Sequence, residues 1–303
     1  MSRTSIVQTS HQHDIPAAPP PARLPNRPAR WLLTVTVTAT LVWSLVNTDV
    51  GIASLVEGRQ GAARLISGLF PPDLNGALLS RVGQAAVETL QISIAALVLG
   101  ALLGLPLALL MAANVAAPRW LSGSARLLAT GLRSVPELLW ALLLVATVGL
   151  GPAAGVYAIA LHGAGLLAKL CSEQMEAVDP APVEAIRLTG ASRTSTALLA
   201  ILPQARANIA SQLLYQWECN LRSSVIIGFV GAGGIGQELS VAMRLFRYQE
   251  LATLMIVILI LVLGVDRISR TFRTRLGAAS TATDSAPVTL QQRINRHLTR
   301  RRA

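Results

Sequence analysis

The sequence predicts an all-α polytopic membrane protein with about six transmembrane helices. Three observations lead there. The 303 residues are 52% hydrophobic and only 14% charged, whereas an average soluble domain carries about 25% charged residues. Apolar runs approaching or exceeding spanning length recur along the chain, with short polar stretches between them. The basic residues, all arginine except Lys169, cluster beside those runs. A net charge of +11 suits nucleic acid in principle, but cations placed at the ends of apolar runs orient a chain in a bilayer.

Taken in order, residues 1–30 are polar and rich in Pro, Ala and Arg, and read as a disordered cytoplasmic tail. No cleavable signal peptide is expected, because the first apolar run begins only at Trp31. That run, 31–46, is a first span with Trp31 and Trp43 at its interfaces. Residues 48–82, with acids and Pro71-Pro72, read as an external loop, so 31–77 is a first helix plus loop and 78–275 the main transmembrane domain. A second span, 87–113, holds Gly100-x-x-x-Gly104, a spacing that lets another helix approach closely, and Pro106, which should kink it. An interfacial helix at 125–132 leads into Arg133-Ser134-Val135-Pro136-Glu137 and a third span ending near 150. Gly151-Pro152 turns the chain into a fourth span, 154–170. A fifth covers 209–230 and a sixth 251–265. Arg267, Arg270, Arg273 and Arg275 follow the sixth, and Arg23, Arg27 and Arg30 precede the first. Both termini are therefore expected inside, with an even number of spans. The basic tail at 276–303 either touches anionic lipid or is merely solvated.

Between the fourth and fifth spans, at 172–206, lies a segment carrying both charge signs. Asp179 is a candidate N-cap with Pro180 and Pro182 in the first turn. Gly190 can end one short helix and start another at a new angle, and Leu202-Pro203 is expected to stop the second. The result is a helix-turn-helix elbow on the cytoplasmic side.

The polar residues inside the spans carry the remaining information. Glu218 and Arg222 are spaced i, i+4 and can neutralise each other on one face; charges at such depth mark a pathway or gate, or a structural ion pair. Arg133 and Glu137 form a second such spacing, interrupted by Pro136, in which Arg133 is either a snorkelling anchor or part of a pathway. Glu88 and His162 are lone polar groups, read as satisfied packing residues. Gly231-Ala232-Gly233-Gly234-Ile235-Gly236 is formally a dinucleotide fingerprint with Glu250 at a suitable distance. A nucleotide fold needs alternating strands and helices, so the run reads instead as a glycine break at the outer end of the fifth span, packing tightly or lining a water-filled cavity. No metal site is suggested by two separated cysteines, Cys171 and Cys219, and four scattered histidines. There is no GxxxxGK[ST], so any ATP and Mg would sit on a separate subunit.

The elbow, with Glu184, Ala185, Gly190, Leu202 and Pro203 in place, resembles the EAA loop of ABC-importer permeases. Ile186 stands where a second Ala is usual, a change expected to alter packing against the ATPase. Together with RSVPELLWALL (133–143), AVDPAPVEAIRLTGAS (177–192), NLRSSVIIGFVGAGGIG (220–236) and Phe246-Arg247-Tyr248, the chain from 78 to 275 resembles the phosphonate ABC transporter permeases, of the type I ABC importer permease (MetI-like) fold. Glu218 and Cys219 depart from that pattern just before the arginine. The resemblance implies a bacterial inner-membrane subunit that binds no cofactor itself. Its partners would be cytoplasmic ABC ATPases, an extracytoplasmic substrate-binding protein, a second permease copy and the lipid bilayer, with no nucleic acid. It implies ATPase coupling through Glu184, Ala185, Arg187, Gly190, Ala191, Leu202 and Pro203. A translocation pathway or gate is expected from Arg133, Glu137, Glu218, Asn220, Arg222, Gly231, Gly233, Gly234 and Gly236. Phosphonate or a related phosphorus oxyanion is the expected solute, drawn by Arg222 and backbone N–H groups near the glycines. Another small solute such as methionine, or an autonomous channel or secondary transporter, are the alternatives. A membrane-embedded enzyme would need a polar catalytic cluster that the sequence does not assemble.

Overall fold

The computed structural model describes residues 27–48, 52–115 and 118–276. The tails at 1–26 and 277–303, with His11, His13 and His297, lie outside the described residues. The chain divides into two units, 1–63 and 64–303. In the first, α1 (Arg27–Asn47) starts four residues before the expected span. Thr36 and Thr40 donate their hydroxyls to the carbonyls of Leu32 and Thr36, both at 2.8 Å, which leaves neither group unpaired in an apolar run.

α2 (Ile52–Leu69) occupies most of what the sequence reads as an external loop. Its Glu57, Arg59 and Arg64 hide a good helix-forming composition of Ala, Leu and Arg. α3 (Gly76–Met111) likewise starts eleven residues earlier than expected and runs through Pro106. Asn75 caps it, its side-chain oxygen accepting from the Ala77 N–H at 3.2 Å. Arg81 falls in the part of this helix that the sequence reads as loop.

α4 (Arg119–Ser134) and α5 (Glu137–Val148) meet at a bend of 85° over Val135-Pro136. Proline cannot extend α4, and the carbonyls freed at the break need partners. Trp140 Nε1 donates to the Leu132 carbonyl at 3.2 Å, and His162 Nδ1 lies 3.0 Å from the Val135 carbonyl. His162 is thus a satisfied packing residue, as the sequence suggests.

α6 (Pro152–Glu176) is the axis of the second unit. Its buried Ala154, Ala158, Ala160, Gly163, Ala164, Gly165 and Ala168 let α3, α4, α5 and α9 close around it. The Gly100/Gly104 pair of α3 faces it. A Cβ on Gly104 would sit 2.8 Å from the Ala164 carbonyl oxygen, so the spacing serves backbone approach. α7 (Pro180–Leu188) and α8 (Arg193–Thr196) form the elbow, and a π turn at Ala197–Ile201 leads into α9 (Leu202–Gly228). α10 (Gly234–Arg244) and α11 (Tyr248–Arg275) complete the chain.

Among the described residues, three helices are long and apolar enough to cross a membrane: Gly76–Met111, Pro152–Glu176 and Tyr248–Arg275. The bent α4–α5 pair makes a fourth if counted as one span. Of the about six expected, α1 offers only the shorter apolar stretch Trp31–Asn47. α9 is long enough but carries Arg206, Gln212, Gln216, Glu218, Asn220 and Arg222.

Candidate functional site

The elbow folds for local reasons. Asp179 accepts from the Ala181 N–H at 3.0 Å, with Pro180 at the first helical position. α7 ends at Gly190, whose φ of +80° only glycine adopts freely. Ser192 caps α8, accepting from Ser195 N–H at 3.1 Å. The Leu202-Pro203 pair does not stop the second helix. Proline is tolerated in the first turn of a helix, and the π turn before it absorbs the register change, so α8 continues into α9. Val183 is buried against Leu167, Met175 and Ile201, and Ile186 packs on the same cluster. Ile186 is partly buried, with one side against the protein's own core. Glu184, Ala185, Arg187 and Leu188 face outward. Leu188, 88% exposed, was not singled out in the sequence, although Glu184, Arg187 and Leu188 share one helical face by spacing. Arg187 donates to the Asn114 carbonyl at 2.6 Å, and Asn114 donates to the Met175 carbonyl at 2.6 Å. The elbow is thereby tied to the C-terminal ends of α3 and α6.

The two expected i, i+4 ion pairs do not form. Glu137 begins α5 beyond the bend and accepts from Ser223 Oγ at 2.7 Å, while Arg133, on α4, is exposed and has no ionic partner among the described residues. The break turns the two side chains onto different axes. Glu218 pairs instead with Arg273 of α11, which approaches from a neighbouring helix and wins over the same-face neighbour. Arg222 is left exposed on α9, where it donates to the Cys219 sulfur at 3.9 Å. It belongs to an exposed stripe of Tyr215, Arg222 and Ile226, continued by the C-cap Phe229, on the C-terminal half of a helix that packs against α3, α5, α6, α10 and α11. Asn220 faces the other way. It is 2% exposed, with its amide between Gln216 and the α3 backbone at Ser93 and Leu97.

The glycine run forms the turn between α9 and α10, with positive φ at Gly231, Gly233 and Gly234. Gly151 N–H donates to the Gly231 carbonyl at 2.9 Å, which fixes the α5–α6 turn to it. α3 supplies the acceptors that the start of α10 needs. Glu88 Oε2 accepts from Gly234 N–H at 3.2 Å, and Thr89 Oγ1 from Ile235 N–H at 2.9 Å. Gly236 packs onto α9 so closely that a Cβ would fall 2.0 Å from the Val225 carbonyl oxygen. Gly233, Gly234 and Gly236 are buried, and Gly231 alone of these four glycines is partly open. Glu250 pairs with Arg247 at 3.2 Å and Arg81 at 3.6 Å. With no strand among the described residues, the dinucleotide reading is set aside.

Comparison with known proteins agrees with this architecture. Residues 104–277 match the family described as binding-protein-dependent transport system inner membrane component. The phosphite transport system permease protein PtxC of Stutzerimonas stutzeri is 40% identical over 220 residues, 73% of this chain and 79% of that protein. The phosphate-import permease protein PhnE of Mycolicibacterium smegmatis is 34% identical over 253 residues, 84% of this chain but 47% of that longer protein. Among solved structures, an inward-facing MetNI methionine ABC transporter chain superposes with a TM-score of 0.61 at 18% identity, covering 67% of this chain and 99% of its own. An amino acid ABC transporter chain gives 0.55 at 21% identity, covering 67% and 99%. At such identities the structures bear on the fold alone. The family match over more than half of the chain and the 40% identity to PtxC decide the assignment: this chain belongs to the binding-protein-dependent transport system inner membrane component family.

Proposed function

We propose that this chain is the permease subunit of an ATP-driven importer for phosphonate or a related phosphorus oxyanion. The observation that carries the reading is the charge state of the α9 stripe. Glu218 is committed to Arg273, so Arg222 stands on an exposed face with no carboxylate paired to it among the described residues. A cation held against apolar neighbours attracts anions more strongly than one in water. The relatives named for phosphite and phosphate handle anions of that class.

In this reading two copies of the chain face each other across their α9 stripes, and the stripe with Glu137 and Gly231 lines the path between them. An extracytoplasmic binding protein delivers the solute. The elbow, through Glu184, Ala185, Arg187, Leu188 and Ala191, docks into a cytoplasmic ATPase, which holds ATP and Mg. Gly190 sets its angle, and Leu202-Pro203 passes motion into α9. Both termini lie in the cytoplasm, and the domain at 78–275 forms the transmembrane body.

The test is reconstitution in proteoliposomes with the candidate ATPase and binding protein, measuring uptake of phosphite, methylphosphonate, phosphate and methionine. ATP-dependent accumulation of one phosphorus oxyanion is expected. Transport by the permease alone, or accumulation of methionine and no oxyanion, would refute the reading.

A further inference from the structure

Three cavities open around the glycine turn and the α10–α11 corner, and their charges differ. One, of about 390 Å³, is lined by Arg81 but also by Glu88 and Glu238, and the Glu88 carboxylate already takes the Gly234 N–H. A second, of about 410 Å³, includes Arg247 beside Asp73 and Glu250, and Arg247 is already paired with Glu250. The third, also about 410 Å³, lies where α9 ends, between the glycine turn, α10 and the end of α5. Arg244 is its one charged lining residue, and it has no ionic partner among the described residues. Two of the three cavities therefore repel an anion or have spent their cation. The third has not.

Its other walls suit a small oxyanion. Leu142, Phe229 and Val241 supply apolar surface, with Gln237 and Ser240 as polar groups. That mixture of a dry wall and a few placed donors, at this volume, is the usual make-up of a small-molecule site. Ser240 is a second, independent pointer. It is 9% exposed, and its hydroxyl forms no hydrogen bond among the described residues. Other helical hydroxyls of this chain, Ser124, Ser134 and Thr147, donate to the carbonyl four residues back. With no carbonyl taking its hydrogen, the Ser240 hydroxyl is free to donate into the cavity that it lines.

We propose that this cavity is an outer anion station, where Arg244 and Ser240 hold a phosphorus oxyanion before it reaches Arg222. Phe229 joins the two sites, being a cavity wall and the last member of the α9 stripe. Seven residues separate it from Arg222, a rise of about 10 Å along the helix. An anion leaving Arg244 thus meets the next unpaired cation two turns further along the same face. This inference rests on the proposed importer function.

The experiment uses the complete transporter, permease with ATPase and binding protein, in proteoliposomes with radiolabelled phosphite. Arg244→Gln should lower uptake at least about tenfold, as expected for loss of a charge-assisted hydrogen bond, and Ser240→Ala about threefold. Arg244→Lys should retain most uptake. ATP hydrolysis stimulated by the loaded binding protein should persist in all three. Val241→Glu, which puts an acid into the same cavity while leaving Arg244 in place, should match Arg244→Gln and serves if that variant fails to assemble. Uptake within about twofold of wild type in Arg244→Gln or Val241→Glu would overturn the station. So would joint loss of uptake and stimulated hydrolysis, which would make Arg244 a docking contact. If wild type accumulates no phosphorus oxyanion, the importer reading fails first, before any variant is compared, and takes the station with it.

Discussion

The reassigned partner of Glu218 can be tested by two double-mutant cycles, Glu218→Gln with Arg273→Gln and Glu218→Gln with Arg222→Gln. Glutamine keeps the volume of glutamate, so packing changes little and the charge is what is lost. The side chains of Glu218 and Arg273 are 11% and 26% exposed. Removing one partner of a fully buried pair costs roughly 3–5 kcal/mol. Arg273 retains some water and a second contact, donating to Ser269 Oγ at 3.4 Å, so a loss of about 2 kcal/mol is expected here. Its Nε is already buried without a partner, which argues against a smaller value. For a chain of this size about 1 kcal/mol moves Tm by roughly 2–4 °C, so each single variant should melt about 4–8 °C lower. The Glu218–Arg273 cycle should show coupling of about 1–2 kcal/mol, and the Glu218–Arg222 cycle less than about 0.5. The assay is thermal unfolding of detergent-solubilised protein followed by tryptophan fluorescence. Larger coupling to Arg222 than to Arg273 would refute the assignment, and with it the unpaired cation on which the transport reading depends.

Three other outcomes are expected. Gly104→Val should destabilise by about 1–3 kcal/mol through overpacking against the Ala164 carbonyl, with Gly100→Ala milder because its Cβ would lie 3.3 Å from the Ala160 carbonyl oxygen; thermal unfolding checks both. Thr89→Val strands the buried Ile235 N–H at a cost of about 1–3 kcal/mol, whereas Glu88→Gln keeps an acceptor for Gly234 and should cost less, again read as Tm. Gly190→Val meets no atom within 4 Å yet must hold φ near +80°, a strain of about 1–2 kcal/mol. It should leave ATP hydrolysis running while uptake falls, and Gly190→Asn, which tolerates that conformation, should stay coupled.

What could be read from sequence was whatever depends on near neighbours. Asp179, Pro180 and Gly190 act within a turn or two, and the elbow they define is present where expected. The Gly100/Gly104 spacing is also local, though its partner carbonyls on α6 are not. Glu218 shows where such reading ends. The i, i+4 rule supplies one candidate partner, but Arg273, 55 residues on, is brought beside it by helix packing. Arg133 and Glu137 fail for a different reason: Pro136 was recognised as an interruption, but its 85° consequence removes the shared helix face on which the pairing rule relies. Leu202-Pro203 reads as a terminator in the sequence, yet at the head of a new helix the N–H that proline lacks is not needed. Arg244 and Ser240 carry no signal of their own in the sequence. They matter through what is missing around them, an acid and an acceptor, and that becomes visible only with the surrounding helices in place.

The absence of a stop at Pro203 has a mechanical consequence. From Leu202 to Gly228 the chain is one lever, 27 residues in length, or about 40 Å. Tilting it by about 5° at the Leu202 end swings the Gly228 end by roughly 3.5 Å, more than the width of a water molecule. A seal at the far end could therefore be broken or remade without melting any turn, and the fulcrum needs no hinge residue within the arm itself.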